Sequence, residues 1–548
     1  MRVRKVESEF QATADGKCSE AASGMVAAAR PEATAAGVEM LAQGGNAIDA
    51  ACAVGLALGV CEPQASGLGG HTMGMIHYEG RTFAVDGSGR APSLAHKSRL
   101  NESGFREVGY RATTVPSTPA TYGWLQRQYG KLDWHTVLEP AIRIAREGYR
   151  ISSLQSRLQL RELDSFMAVE SRSGAKYFLR QGTEPLEPGS AFRQPDLANT
   201  LELIARRGVE EFYQGDIAAQ IDADMRENEG LLRADDLAFI PWPIERPPVA
   251  RSYRGYLIKT MPPPGSGRTL LLVLLMLNYL ESRFVGGRQP ERYHFLAETF
   301  RKAFLQRLDR PFDPNTYPQI TGKKMLSRRF ARGIAATIAK NMDVSLPLED
   351  PVGAQTGETT HFSVMDRDGN AVAITQSIEL VYGSKAAAAG LGFLYNNYLV
   401  AFELDNPAHP YYLRPNAVPW SSVAPTIMFR RKQPWLATGS PGSERIFSTI
   451  TQFLSKVIDG SAPMGEAVVE PRMHCSIGGT ISFEQDRFAP EVTAYLDQLG
   501  YKLRPREPYA FYLGCIQATL KRQTGPGFQG VADVRRDGTA AGPGSTWG

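Results

Sequence analysis

The chain has 548 residues, of which 43% are apolar and 22% charged, and 61 basic residues against 57 acidic leave a net charge of only +4. That balance argues against a nucleic-acid-binding stripe, and the length predicts either two or more domains or one large layered domain. The apolar run 270–280 contains Asn278 and is too short to cross a bilayer, so it predicts a core helix and no membrane partner.

In chain order, the charged first 20 residues lack the apolar centre of a secretory signal, and a cytoplasmic location is expected. Residues 21–41 are alanine-rich and predict one helix stopped at Gly44-Gly45. Asn46 then caps a second helix over 47–58. Gly67, Gly69 and Gly70 precede a hairpin with strands at 73–78 and 82–86. They lack GxGxxG and open no helix, which argues against a nucleotide site. Helices are predicted within 129–149 and over 196–206, 209–224 and 234–238. A strand at 256–260 leads into PPPGSG, followed by helices near 269–280 and 292–308. The basic residues 328–332 read as a solvated face, and the whole stretch 310–358 as irregular, with 348–358 an exposed loop open to cleavage.

After that loop comes GETTHFSVMDRDGNAVAITQS, residues 357–377, in which β-branched blocks flank a DRDG turn and predict a β-hairpin. Thr359 and Thr360 stand at the mouth of its first strand, where composition alone makes them ordinary strand formers. Further strands are expected within 415–428 and 434–443, at 516–521 and at 529–535. A helix is expected over 444–458, and a helix-and-strand unit over 490–503. Short strands between large helices fit helical layers around stacked sheets. The five cysteines show no CxxC spacing and no histidine at metal spacing, so no metal or other cofactor is expected; the scattered histidines receive no role.

Several segments together resemble the gamma-glutamyltransferase family, a branch of the N-terminal nucleophile hydrolases. They are GGNAIDA at 44–50, PQASGLGG at 63–70, PPPGSG at 262–267, the 357–377 hairpin, GFLYNN at 392–397, SSVAPT at 421–426, TGSPGS at 438–443 and GVADVRRDG at 530–538. The resemblance implies an α+β fold, a four-layer αββα sandwich. It implies a proenzyme cleaved autocatalytically between Glu358 and Thr359 into a large subunit 1–358 and a small catalytic subunit 359–548. The two would stay together as a heterodimer whose halves form one domain.

The chemistry agrees with that implication. A threonine hydroxyl needs a base, and a newly exposed α-amine with a pKa near 8 is one within the same residue. By resemblance Thr359 is the nucleophile and base, Ser377 supports it, and the backbone N–H groups of Gly442 and Ser443 receive the oxyanion. Thr375 is a neighbouring candidate that strand alternation puts on the same face as Ser377. Asn396 and Asn397 match a pair at the substrate pocket, and Ser421 and Ser422 a pair that contacts a substrate carboxylate.

Other positions depart from the family pattern. Ser88 stands where the family's glutamyl-clamping arginine is expected; Arg90, two residues on, either restores the charge or is carried away by a turn. Glu379 replaces an asparagine, Tyr398 a glutamine or glutamate, and Ala401 an aspartate. Losing charged hydrogen bonds, each worth about 1.5–3 kcal/mol, removes much of a zwitterion-recognition site. The expected activity is therefore self-processing and then hydrolysis of a small acyl amide. The rivals are a true gamma-glutamyltransferase or glutathione hydrolase, an oxamate amidohydrolase or a cephalosporin or glutaryl acylase-like enzyme, and an uncut binding relative.

Overall fold

The computed structural model describes residues 17–100, 104–281, 285, 287, 289–308, 324–340, 357–522 and 526–545. The first 16 residues, residues 310–323 and the loop 348–356, for which expectations were stated, lie outside the described residues.

Two seven-stranded sheets stack face to face. Their strands in chain order are β1 (Cys18–Ala21), β2 (Gly24–Ala28), β3 (His71–Tyr78), β4 (Arg81–Gly87), β5 (Ile244–Arg246), β6 (Val249–Tyr253), β7 (Tyr256–Thr260), β8 (Gly357–Asp366), β9 (Ala371–Leu380), β10 (Thr426–Arg430), β11 (Gln433–Gly439), β12 (Gln517–Lys521), β13 (Phe528–Ala532) and β14 (Thr539–Ala541). One sheet runs β14-β2-β8-β9-β3-β4-β5 and the other β1-β13-β12-β11-β10-β7-β6. Every pairing in both is antiparallel.

Strand alternation builds the layers. Val26, Phe362, Val364, Val372 and Ile374 on one face of the first sheet pack with helices α1 (Pro31–Ala42) and α2 (Ala47–Cys61). Met25, Ala27, Met365, Ala371 and Ala373 on the opposite face belong to a second core. That core holds the β10–β11 strands and helices α3 (Gly267–Leu277) and α4 (Ile446–Ile458). Full burial of each large aliphatic chain contributes about 1.5–3 kcal/mol. The result is an αββα sandwich, with the β8–β9 hairpin central in its sheet.

Several local expectations change. Residues 21–41 hold two elements: Gly24–Ala28 pairs with β8 as a strand, and the helix begins only at Pro31. Alanine favours helix, and the pairing of Gly24–Ala28 with strands on either side overrides that preference. The helix expected over 209–224 is broken at Gly215 into Glu211–Gln214 and Asp216–Glu227. Within the stretch expected to be irregular, Arg328–Lys340 is a helix that buries Ala331, Ala335 and Ile338 and leaves Arg328, Arg329 and Arg332 exposed. Among the described residues no helix is long and apolar enough to cross a membrane, and no group of three or more His, Cys, Asp or Glu could hold a metal.

Candidate active site

The hairpin register shifts where Thr359 sits. Glu358 pairs with Glu379 and Thr360 with Gln376, so Ser377 and Ile378 together stand opposite the single Thr359. This bulge re-aims the end of β9 toward β8. The Ser377 hydroxyl donates to the Glu358 carbonyl oxygen at 2.6 Å, accepts from Thr359 Oγ1 at 3.3 Å and accepts from the Glu379 N–H at 2.9 Å. One hydroxyl thus touches the carbonyl of the Glu358–Thr359 peptide and the side chain that follows it. Glu358, Thr359 and Ser377 are all buried.

Thr375 lies opposite His361 in the ladder, and its hydroxyl meets His361 Nδ1 at 2.8 Å. It therefore supports a histidine rather than Thr359, because the bulge separates its register from that of Ser377. His361 Nε2 reaches Ser363 Oγ at 3.1 Å, and Ser363 donates to the Gln517 carbonyl across the sheets. Burial lowers the His361 pKa to about 3, so the ring is neutral at ordinary pH.

Beyond β11 the chain turns at Gly442 and enters a single helical turn, Ser443–Arg445, ahead of α4. Gly442 has φ +121° and Ser443 φ +53°, left-handed values that are uncommon for a non-glycine residue. This turn abuts the start of β8: a Cβ on Gly357 would lie 3.0 Å from both Cβ and Oγ of Ser443. Two adjacent backbone amides at such a bend can serve as oxyanion donors.

Glu379 also has positive φ, +79°, and is half-buried. Burial and the neighbouring Glu444 carboxyl push its pKa up to about 7. The Tyr398 phenol lies among Glu379, Ser377 and Ser421; burial and the Glu379 charge raise its pKa, and the two serine hydroxyls oppose the rise. Tyr398 stacks on His71 with ring centroids 4.0 Å apart. Ser421 and the half-buried Ser422 are tied to the proline-rich segment, Ser421 N–H donating to the Pro264 carbonyl and Ser266 Oγ to the Ser422 carbonyl.

Four residues expected at the substrate pocket are engaged elsewhere. The Arg90 guanidinium donates to the Phe239 carbonyl at 2.7 Å and lies 4.2 Å from the centroid of the Phe239 ring. Ser88 donates to Asp86 Oδ1 at 2.5 Å, and Asp86 is paired with Arg246 at 2.7 Å. Asn397 accepts from the Leu380 N–H at 3.0 Å and donates to the Glu107 carbonyl at 2.7 Å, while Asn396 holds Gly69 and Thr114. Both asparagines therefore fix the loops around β9.

Sequence reasoning missed the ionic layer beneath Thr359. Arg536 pairs with Glu62 at 3.1 Å and with Glu358, and donates to the Thr359 carbonyl at 3.0 Å. Glu62 is the residue that ends α2, where a negative charge is unfavourable without a cation. Burial pushes Glu62 up to about 7 against the pull of Arg536, and burial likewise raises Glu358. Both Glu62 and Arg536 lie within or beside quoted motifs, Glu62 before PQASGLGG and Arg536 inside GVADVRRDG; their meeting is set by tertiary folding.

Comparison with known proteins gives a family-wide match. A family described as Gamma-glutamyltranspeptidase matches residues 33–543. The chain is 32% identical over 533 residues to the Glutathione hydrolase proenzyme of Escherichia coli (strain K12), covering 93% of this chain and 90% of that protein. It is 32% identical over 551 residues to the Acylase ACY 1 proenzyme of Pseudomonas sp. (strain SE83), covering 96% of this chain and 95% of that one. Among solved structures it is similar to a cephalosporin acylase from Bacillus halodurans, with a TM-score of 0.86, 28% identity and 96% of each chain covered.

Proposed function

This chain belongs to the gamma-glutamyltranspeptidase family of enzymes, and on that premise we propose that it is a self-processing threonine amidohydrolase acting on a small acyl amide. The observation that carries this reading is the shared hydrogen bonding of Ser377 to the Glu358 carbonyl and the Thr359 hydroxyl. The proenzyme names of its relatives support self-processing.

Cleavage of Glu358–Thr359 yields chains 1–358 and 359–548, which remain associated because each of the two sheets is built from strands of both. The freed Thr359 α-amine, with a pKa near 8, takes the hydroxyl proton as Oγ1 attacks the substrate amide carbon. The Gly442 and Ser443 N–H groups receive the oxyanion, the C–N bond breaks, and the amine departs with the proton. Water then attacks the Thr359 ester by the same route and releases the acid.

The substrate reading rests on Arg90 and Ser88. One guanidinium is held on Phe239 and the serine on Asp86, so neither offers a cation to a glutamyl α-carboxylate. On this reading Glu379 and Tyr398, which neighbour each other beside Ser377 and Ser421, take that end instead. This favours acyl groups other than zwitterionic γ-glutamyl, such as oxamate or the glutaryl and cephalosporin side chains. Matured protein run against a panel of acyl amides tests it, the expected result being turnover of such amides in preference to a γ-glutamyl anilide.

A second reading, glutathione hydrolysis or γ-glutamyl transfer, is favoured by the relative from Escherichia coli. Release from a γ-glutamyl anilide that accelerates with a dipeptide acceptor selects it.

A further inference from the structure

The Arg536 guanidinium reaches both residues of the Glu358–Thr359 peptide from one side. Nη2 holds the Glu358 carboxyl, and Nη1 donates to the Thr359 carbonyl and to Glu62. The same Glu358 oxygen, Oε1, accepts the Thr359 N–H at 3.0 Å. The side chain of the residue before the bond therefore folds back onto the nitrogen of that bond, and Arg536 fixes it there. Ser377 grips the carbonyl oxygen of the same peptide, so its nitrogen and its oxygen each have a dedicated partner.

We propose that Arg536 is a positioning residue for self-cleavage, clamping Glu358 and the Thr359 carbonyl so that the peptide between them is presented to the Thr359 hydroxyl. The proposal rests on the reading of Thr359 as the attacking residue. In the step it serves, Thr359 Oγ1 bonds to the Glu358 carbonyl carbon, the C–N bond breaks, and the hydroxyl proton passes to the freed α-amine. Water hydrolyses the resulting ester to the Glu358 carboxylate and restores the hydroxyl. The clamp is packed among protein atoms: Arg536, Glu358 and Glu62 are each 4% exposed or less. Burial opposes the charge on this guanidinium, but the two carboxyls outweigh it and raise its affinity for the proton, so it stays charged.

A recess of about 290 Å³, lined in part by Arg157, Glu507, Tyr509, Phe511 and Arg536, borders the clamp from the other side. Guanidinium from solution has room there to reach the place of a deleted arginine side chain. This gives a readout that a purely structural role would not move.

The test is the rate at which freshly purified precursor converts to two fragments, followed by intact mass, with thermal unfolding measured alongside. Arg536→Ala is expected to slow conversion at least tenfold, and millimolar guanidinium to restore part of the rate. Glu358→Ala is expected to slow it as well, and in the Arg536→Ala/Glu358→Ala double variant the losses should not multiply, since both act on one contact. Arg536→Lys, which keeps the charge but not the fork, should fall between and carries the comparison if the alanine variant fails to fold. Native conversion by either Arg536 variant, or losses that multiply without guanidinium rescue, would overturn the proposal. Cleavage that persists in Thr359→Ala overturns the reading of Thr359 instead.

Discussion

Ser377 and Glu358 are joined by a 2.6 Å hydrogen bond in which the serine hydroxyl is the donor and the backbone carbonyl the acceptor. That hydroxyl also takes the Thr359 Oγ1–H and the Glu379 N–H, which fills its bonding capacity and fixes its direction. Ser377→Ala removes this side-chain donor from the carbonyl and should slow self-cleavage by about 10²–10³, the usual effect of deleting one oxyanion donor. Ser377→Thr keeps the hydroxyl and should recover most of the rate in a time course on a denaturing gel.

Gly442 should tolerate no side chain. Its φ of +121° is a glycine value, and a Cβ there would lie 3.3 Å from Gly514 Cα. Gly442→Ala is expected to cost about 1–3 kcal/mol of backbone strain and to turn the amides away from the developing oxyanion. Steady-state kinetics on whatever matures should show kcat reduced at least tenfold with KM changed little.

Glu379 predicts a pH signature. Its carboxyl ionises near 7 beside Tyr398, and the Thr359 α-amine near 8. The profile of kcat/KM should bend at both values, and Glu379→Gln should delete only the lower bend. A profile unchanged by that substitution would detach Glu379 from the substrate pocket.

His361 predicts acid sensitivity. Its folded pKa, about 3, lies below the unfolded value near 6.5, so the unfolded chain binds the proton first. This stability is complete above 6.5 and is lost as pH falls toward 3, at about 1.4 kcal/mol per unit within that window. Urea titrations at pH 7 and pH 5 should show a smaller drop for His361→Gln than for the native chain.

The sequence made the hairpin legible because local chemistry specifies it: DRDG turns, β-branched residues flank it, and Asn46 caps its neighbouring helix with both halves of a capping box. The β2 strand was hidden because its GMVAA sequence runs into a helix-compatible alanine stretch, and its pairing with β8 and β14 is what distinguishes it. At the site, motif resemblance pointed to Thr359 and Ser377, but not to the bulge that diverts Thr375 to His361. Nor did it reveal that Arg90 would settle on Phe239. Arg536 lay furthest from view: it stands 177 residues beyond Thr359, and nothing local to GVADVRRDG says that its guanidinium reaches that carbonyl.

The most direct test of the central claim is intact mass of Thr359→Ala beside the native chain after the same incubation. The account predicts that native protein separates into fragments ending at Glu358 and beginning at Thr359, and that the variant remains a single species of 60.1 kDa with no acyl-amide turnover. The same two fragments from the variant, or turnover by the uncut chain, would contradict it.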